Sequence, residues 1–313
     1  MKLVILDGVT LGEDIDAASY FRELGEVEAY SFTQPEQVEE RICDCQVVIL
    51  NKVQLKESNL ANAKRLRLIC VTATGYDNID LDYCRRAGIG VCNVKGYSTD
   101  SVAQLTVAMA LSLVNHLPVY HQYTVSGAYT ASGRQNCLTP VVHELRGQTW
   151  GVIGYGAIGR RTAQIAEALG CRVMGCRRSP GGAPLEQVCR EADIITIHTP
   201  LTDQTRGMIS RELISLMKPS VILINVARGA VWDEEAVAEA VLSGRIGGMG
   251  CDVYDGEPMR KDHPFYGLID CPNVCFTPHM AWGAYEARVR CLEEIVLNIQ
   301  AFYNGESRNR VEG

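Results

Sequence analysis

The 313-residue sequence is poor in aromatic residues, at 7 %, with five phenylalanines and three tryptophans. It also lacks a long hydrophobic run. Its most apolar helical stretch, Thr106 to Val114, falls far short of the roughly 20 residues that a membrane-spanning helix needs. The opening MKLVILDG has four apolar residues in a row before Asp7, where a secretory signal needs about 7–15, so it reads as a first buried strand. No membrane is an expected partner, and the cytoplasm is the expected compartment. Positive charge is scarce too: 30 Lys and Arg stand against 37 Asp and Glu, a net charge of −7. With no basic run to meet a phosphate backbone, nucleic acid is not an expected partner either. Thirteen cysteines are many, yet none forms a CxxC pair, and Cys43/Cys45 and Cys271/Cys275 lack a second pair at zinc spacing. They are expected to be reduced packing residues, with no metal site.

What the sequence does have is alternation. Short apolar runs (KLVILDG, VEAYS, QVVILNK, LRLICVTAT, GVCNV) are separated by helical segments such as QPEQVEERIC and IDLDYCRRAG. A second series begins near Gly147 with TWGVIG, CRVMGC, IITIHTP, VILINVA, GGMGCDVY and VCFTPHM. Continuous apolar strands between helices indicate parallel sheets covered on both faces, the α/β class, and two series imply two doubly wound domains. Between the series, Ser98 to about Val125 reads as one long apolar helix starting at good N-capping residues. The segment AYEARVRCLEEIVLNIQAFYNG near the C-terminus is another helix, long enough to return and cover the first domain.

In TWGVIGYGAIGRRTAQIAEALG, a buried strand leads into Gly154-x-Gly156-x-x-Gly159 and then an amphipathic helix. Such glycines allow a tight turn, close approach of pyrophosphate and helix–strand packing, with the phosphates at the helix N-terminus. Gly154, Tyr155, Gly156, Ala157, Ile158 and Gly159 are therefore candidate cofactor contacts. In this fingerprint an acid about 20 residues further on takes the ribose hydroxyls. Here that place, after the second strand, holds Arg177, Arg178 and Ser179. A carboxylate would repel a 2′-phosphate, whereas two guanidinium groups and a hydroxyl would bind it. The expected cofactor is NADP(H) in preference to NAD(H).

Three further stretches, INVARGAVWDEE, CDVYDGEP and FTPHMAW, put Arg228, Glu257 and His279 at or just past strand ends. That edge of an open α/β sheet is where ligands lie. An arginine and a glutamate–histidine pair downstream of a hydride-carrier site form a candidate catalytic set.

With these stretches, together with VTATGYDNID, NVKGYSTDSVAQ, ELRGQTWGVIGYGAIG and HTPLTDQTRGMI in the same order, the sequence resembles the D-isomer-specific 2-hydroxyacid dehydrogenases along nearly its whole length. NKVQL and TPHMAWGAYEARVR look most like the hydroxypyruvate reductase, or glycerate dehydrogenase, branch. The resemblance implies a Rossmann dinucleotide-binding domain, residues 98–285, inserted into a flavodoxin-like substrate domain, residues 1–97 plus 286–313. It implies that Arg228 holds the substrate carboxylate and keto oxygen and that His279 donates the proton. Glu257 would accept a hydrogen bond from the imidazole and stabilise its charged form. It further implies that backbone N–H groups at Ala73, Thr74 and Gly75 grip the carboxylate and that Asp252 anchors the nicotinamide carboxamide. Thr199, Pro200, Val226 and Ala227 would line the cofactor, with Lys52 as an additional substrate contact. A homodimer formed through the cofactor domain, using the apolar helix Ser101 to Val114, is also implied. The substrate expected is a small 2-keto acid, hydroxypyruvate or glyoxylate. Alternatives are another 2-hydroxy acid such as phosphoglycerate or lactate, or a non-enzymatic dinucleotide-sensing protein of the same fold. Formate dehydrogenase shares the fold but has no need of a carboxylate partner for its histidine, so Glu257 argues against it.

Overall fold

The computed structural model describes residues 1–177 and 181–313; Arg178 and Ser179, both expected at the 2′-phosphate, lie outside the described residues. The chain divides into two units, Met1–Ser98 with Gly283–Gly313, and Thr99–Trp282. In the first unit, β1 (Lys2–Ile5), β2 (Glu26–Ala29), β3 (Val47–Leu50), β4 (Leu68–Val71) and β5 (Gly90–Cys92) form a sheet in the order β2-β1-β3-β4-β5. All its pairings are parallel. The strands VVIL and LICV are buried along their whole length, as unbroken apolar runs require when helices cover both faces. This is the flavodoxin-like order, whose switch point lies between β1 and β3. The helix Tyr285–Tyr303 lies against β4 and β5 and buries Ala287, Cys291, Leu292, Ile295 and Ile299. Its buried Asn298 donates to the Asn93 carbonyl at 3.1 Å, which satisfies a polar side chain that burial would otherwise penalise.

In the second unit, β6 (Thr149–Ile153), β7 (Arg172–Cys176), β8 (Ile194–Ile197), β9 (Ile222–Asn225), β10 (Gly248–Cys251) and β11 (Val274–Phe276) run in the order β11-β10-β9-β8-β6-β7, again all parallel. The order turns at β6 and β8, so this unit's ligand crevice lies at the C-terminal ends of those two strands. The Rossmann order 3-2-1-4-5-6 would place another strand outside β7. Among the described residues there is none, because a short connection leads from β7 straight into the helix Leu185–Glu191. Trp150 on β6 is fully buried, and its indole N–H donates to Thr196 Oγ1 on β8 at 3.2 Å. Truncation of a tryptophan so placed costs about 3–5 kcal/mol.

The single helix expected over 98–125 is in fact two, Thr99–Val114 and Leu117–Val125, bent by 59°. His116 between them takes the left-handed conformation, φ 50°. The cause is Pro118, which has no N–H and would clash with the carbonyl four residues back. It sits instead in the first turn of the second helix, where that N–H is not needed. The first of the two helices spends its apolar face inside the unit: Val102, Met109, Ala110 and Leu113 pack with Trp150, Val152 and Ala163. The same helix leaves Gln104 and Ala108 exposed and Leu105, Leu111 and Val114 half-buried. No single helix is long and apolar enough to cross a membrane among the described residues. All thirteen cysteines are free thiols, eight of them buried.

Candidate active site

The glycine turn sits at the switch point of the second sheet. Gly154 has φ +91°, and a Cβ there would lie 2.6 Å from the His198 and Thr199 backbone. A Cβ on Gly159 would meet the Gly154 carbonyl at 2.2 Å. Both positions therefore demand glycine for packing. Gly156 differs, since a Cβ there would meet nothing within 4 Å. It stands as N-cap of the helix Ala157–Ala168, and no side chain caps that helix. An open glycine beneath uncapped backbone N–H groups fits a pyrophosphate. Thr199 and Pro200 follow β8 and are held beside this turn by the Gly154 contact, while Thr205 Oγ1 donates to the Pro200 carbonyl at 2.7 Å.

Arg177 is exposed directly after β7. Gly182 packs over its backbone, where a Cβ would lie 2.8 Å from the Arg177 carbonyl, and Ala183 N–H returns to the Gly175 carbonyl at 2.9 Å. The Tyr155 ring lies against Gly175. The strand end thus offers a cation where an adenosine ribose would project.

Arg228 follows β9. The fully buried Asn225 braces its loop, accepting from Ala227 N–H at 2.9 Å and donating to the Arg228 carbonyl at 2.9 Å. Val226 is buried and Ala227 half-buried in this loop. Glu257 lies in the loop after β10, its Oε1 accepting from Tyr254 N–H at 3.2 Å and its Oε2 2.6 Å from His279 Nδ1. A carboxylate at Nδ1 fixes the hydrogen on that nitrogen and leaves Nε2 for a reacting group.

His279 has φ 52°, a left-handed backbone rare for a residue with a side chain. Such strain persists only where the surroundings over-determine it, and here Asp252 does much of this. One of its oxygens accepts from Thr277 Oγ1 at 2.5 Å and Met280 N–H at 2.9 Å, the other from Ala281 N–H at 3.0 Å. Trp282 Nε1 adds a bond to the His279 carbonyl at 3.0 Å. Burial pushes the Asp252 carboxyl above its usual range, against the pull of those three donors. Asp252 thus braces the histidine turn, a role its position in CDVYDGEP did not suggest.

In the first unit, Val94 N–H donates to the Ala73 carbonyl, and Asn93 Nδ2 donates to the Thr74 carbonyl at 2.7 Å. The Thr74 hydroxyl donates to the Val94 carbonyl at 2.8 Å. The N–H groups of Ala73, Thr74 and Gly75 have no acceptor among the described residues, an arrangement suited to an anion. Lys52 has an exposed side chain. Its backbone is fixed by buried Asp7, which accepts from the N–H groups of Asn51, Lys52 and Val53 at 2.6–3.2 Å. Burial raises the Asp7 carboxyl. Asp7 stands at the end of the first apolar run; the run marks the strand, but its bond to a loop 45 residues away has no local signal.

A glycine turn at the switch point, with an arginine and a histidine–carboxylate pair at the ends of neighbouring strands, defines a dinucleotide-dependent oxidoreductase. The family model described as D-isomer specific 2-hydroxyacid dehydrogenase, NAD binding domain, matches residues 107–281. The chain is 36 % identical over 313 residues to the glycerate dehydrogenase of Methylorubrum extorquens, with 99 % of each chain covered. It is 33 % identical over 324 residues to the hydroxypyruvate reductase of Blautia hydrogenotrophica, again with 99 % of each covered. The structure of D-lactate dehydrogenase from Aquifex aeolicus, complexed with NAD and lactic acid, superposes with a TM-score of 0.87 at 30 % identity, covering 100 % of this chain and 99 % of that one. The chain belongs to the D-isomer specific 2-hydroxyacid dehydrogenase family. It is an oxidoreductase that uses a nicotinamide dinucleotide.

Proposed function

We propose that the protein reduces a small 2-keto acid, hydroxypyruvate or glyoxylate, to the D-2-hydroxy acid, with NADPH preferred to NADH. The observation that carries the reading is the 2.6 Å contact between Glu257 and His279 Nδ1, which leaves Nε2 as the proton donor. Gly154 to Gly159, with Thr199, Pro200, Val226 and Ala227, would hold the cofactor, and Arg177 would take its 2′-phosphate. When bound, the reduced nicotinamide supplies the hydride. Arg228 binds the substrate carboxylate and the keto oxygen, fixing and polarising the carbonyl. His279 gives its proton to the developing alkoxide, and Glu257 supports the imidazolium. In oxidation the same histidine takes the proton back. We assign the backbone amides at Ala73–Gly75 and the Lys52 side chain to the substrate carboxylate as well, and the unit Met1–Ser98 with Gly283–Gly313 to the substrate domain.

Two further assignments belong to this reading. Leu117, Val125, Leu138, Val141 and Val142 are exposed and apolar within one stretch of the cofactor unit, and support a homodimer formed through that unit. Thirteen unpaired thiols support a reducing compartment, the cytoplasm. The test is incubation of purified protein with NADPH and hydroxypyruvate or glyoxylate, with chiral analysis of the glycerate formed from hydroxypyruvate. D-glycerate is expected. An L product, or none from either acid, overturns the reading.

A further inference from the structure

The loop that carries Glu257 is held by a second acid–histidine pair that the reaction does not use. Glu234 opens the helix Glu234–Leu242, and His263 precedes the turn Pro264–Leu268; their side chains are only 10 % and 5 % exposed. His263 Nδ1 accepts from Phe265 N–H at 3.2 Å. The ring's hydrogen is therefore on Nε2, which lies 2.8 Å from Glu234 Oε2 in a close polar contact that is bent away from hydrogen-bond geometry. The other carboxylate oxygen, Oε1, accepts from Asp255 N–H at 2.9 Å, two residues before Glu257. One residue earlier, Tyr254 gives its N–H to Glu257 Oε1 and sets its ring edge-on to that of His263, centroids 5.8 Å apart. Gly229, the neighbour of Arg228, packs against the same backbone strip, where a Cβ would lie 2.2 Å from Asp255 N. The strip at Tyr254 and Asp255 thus touches both the arginine loop and the Glu234 carboxylate.

We propose that Glu234 and His263 are positioning residues: His263 orients the Glu234 carboxylate, which pins Asp255 N–H so that Glu257 meets His279 Nδ1. The pair is costly for mere packing. Burial raises the Glu234 carboxyl to about 7 and lowers His263, and apolar side chains in the same space would avoid both penalties. The inference rests on the assignment of Glu257 and His279 to proton transfer.

The test compares Glu234→Gln, His263→Leu and His263→Gln in the full-length protein, with His279→Gln as reference. Active enzyme is counted by NADPH binding. In Glu234→Gln the amide faces the His263 donor with a second donor, and in His263→Leu the carboxylate loses its partner. Each should lower kcat for keto-acid reduction about tenfold, as small displacements of catalytic groups do, with the KM for NADPH unchanged within about twofold. His263→Gln restores a donor toward Glu234 and should recover most of the lost kcat. The double variant Glu234→Gln/His263→Leu should fall no further than either single one, because the two act as a unit. Full kcat in both folded single variants overturns the proposal, as does a loss in His263→Gln equal to that in His263→Leu. An active His279→Gln would instead overturn the proton-transfer assignment beneath it. If the single variants do not fold, amide exchange in the wild-type protein decides. Protection of Asp255 N–H supports the pin, and exchange at the rate of an open loop overturns it.

Discussion

Replacing Glu257 with glutamine removes the charge opposite His279 while keeping the side chain's length and its capacity to accept from Tyr254 N–H. The lost interaction is a charge-assisted hydrogen bond of 2.6 Å, of a kind worth about 1.5–3 kcal/mol. Both side chains are partly open to solvent, 20 % for His279 and 32 % for Glu257, so screening places the loss at the lower end, about 1.5–2 kcal/mol. The bond matters most when the imidazole is charged, so the loss belongs to kcat. A fall of roughly 10–30-fold is expected, with the KM of the keto acid little changed because Arg228 remains. The assay is steady-state loss of reduced nicotinamide at saturating cofactor, alongside thermal melting to confirm the fold. A kcat within about twofold of wild type in a folded variant would refute the role given to Glu257.

Other consequences are equally open to measurement. Arg177→Asp should lower the kcat/KM ratio of NADPH to NADH at least tenfold, about 1.4 kcal/mol, since the exposed guanidinium at the end of β7 is exchanged for a charge that repels a 2′-phosphate. Gly156→Ala should melt near wild type yet bind dinucleotide at least about tenfold more weakly, because its Cβ enters only the space left for phosphate. Gly159→Ala should instead lower stability by about 1–3 kcal/mol, as overpacking does, because its Cβ meets the Gly154 carbonyl. For pH dependence, Glu234 is raised from 4.5 to about 7 by burial. Protons therefore bind the folded state more tightly than the unfolded one. This group's contribution is most favourable below about 4.5 and is lost as pH rises through 7, a swing of at most about 3 kcal/mol. Buried His198, lowered to about 3, titrates in the opposite sense, so the quantity to measure by chemical denaturation between pH 4.5 and 8 is the stability of wild type minus that of Glu234→Gln, which should fall by that amount as pH rises.

Most strands were legible because they are short apolar runs bounded by turn residues, with the partly exposed EVEA of β2 an exception, and the glycine turn because its spacing joins a strand to a helix. Arg228, Glu257 and His279 stood out through their places at strand ends, and the structure sets the last two in contact. What stayed hidden depends on pairs distant in sequence. Asp7 holds a loop 45 residues on, and Asp252 ties down a turn 28 residues on. Glu234 and His263 look, in sequence, like a helix-start acid and a loop histidine. The break at His116 was missed for a different reason. Apolar periodicity continues through Leu117, Val119 and Tyr120, and the backbone restriction imposed by Pro118 outweighs it.

Hydroxypyruvate reduction by the wild-type protein, with NADPH and NADH side by side, is the most direct single test. Turnover with a kcat/KM at least tenfold higher for NADPH is expected. NADH equal or better would contradict the role of Arg177 and leave the fold and catalytic set standing. Binding of dinucleotide without turnover of hydroxypyruvate, glyoxylate or any other small 2-keto acid would contradict the reductase itself.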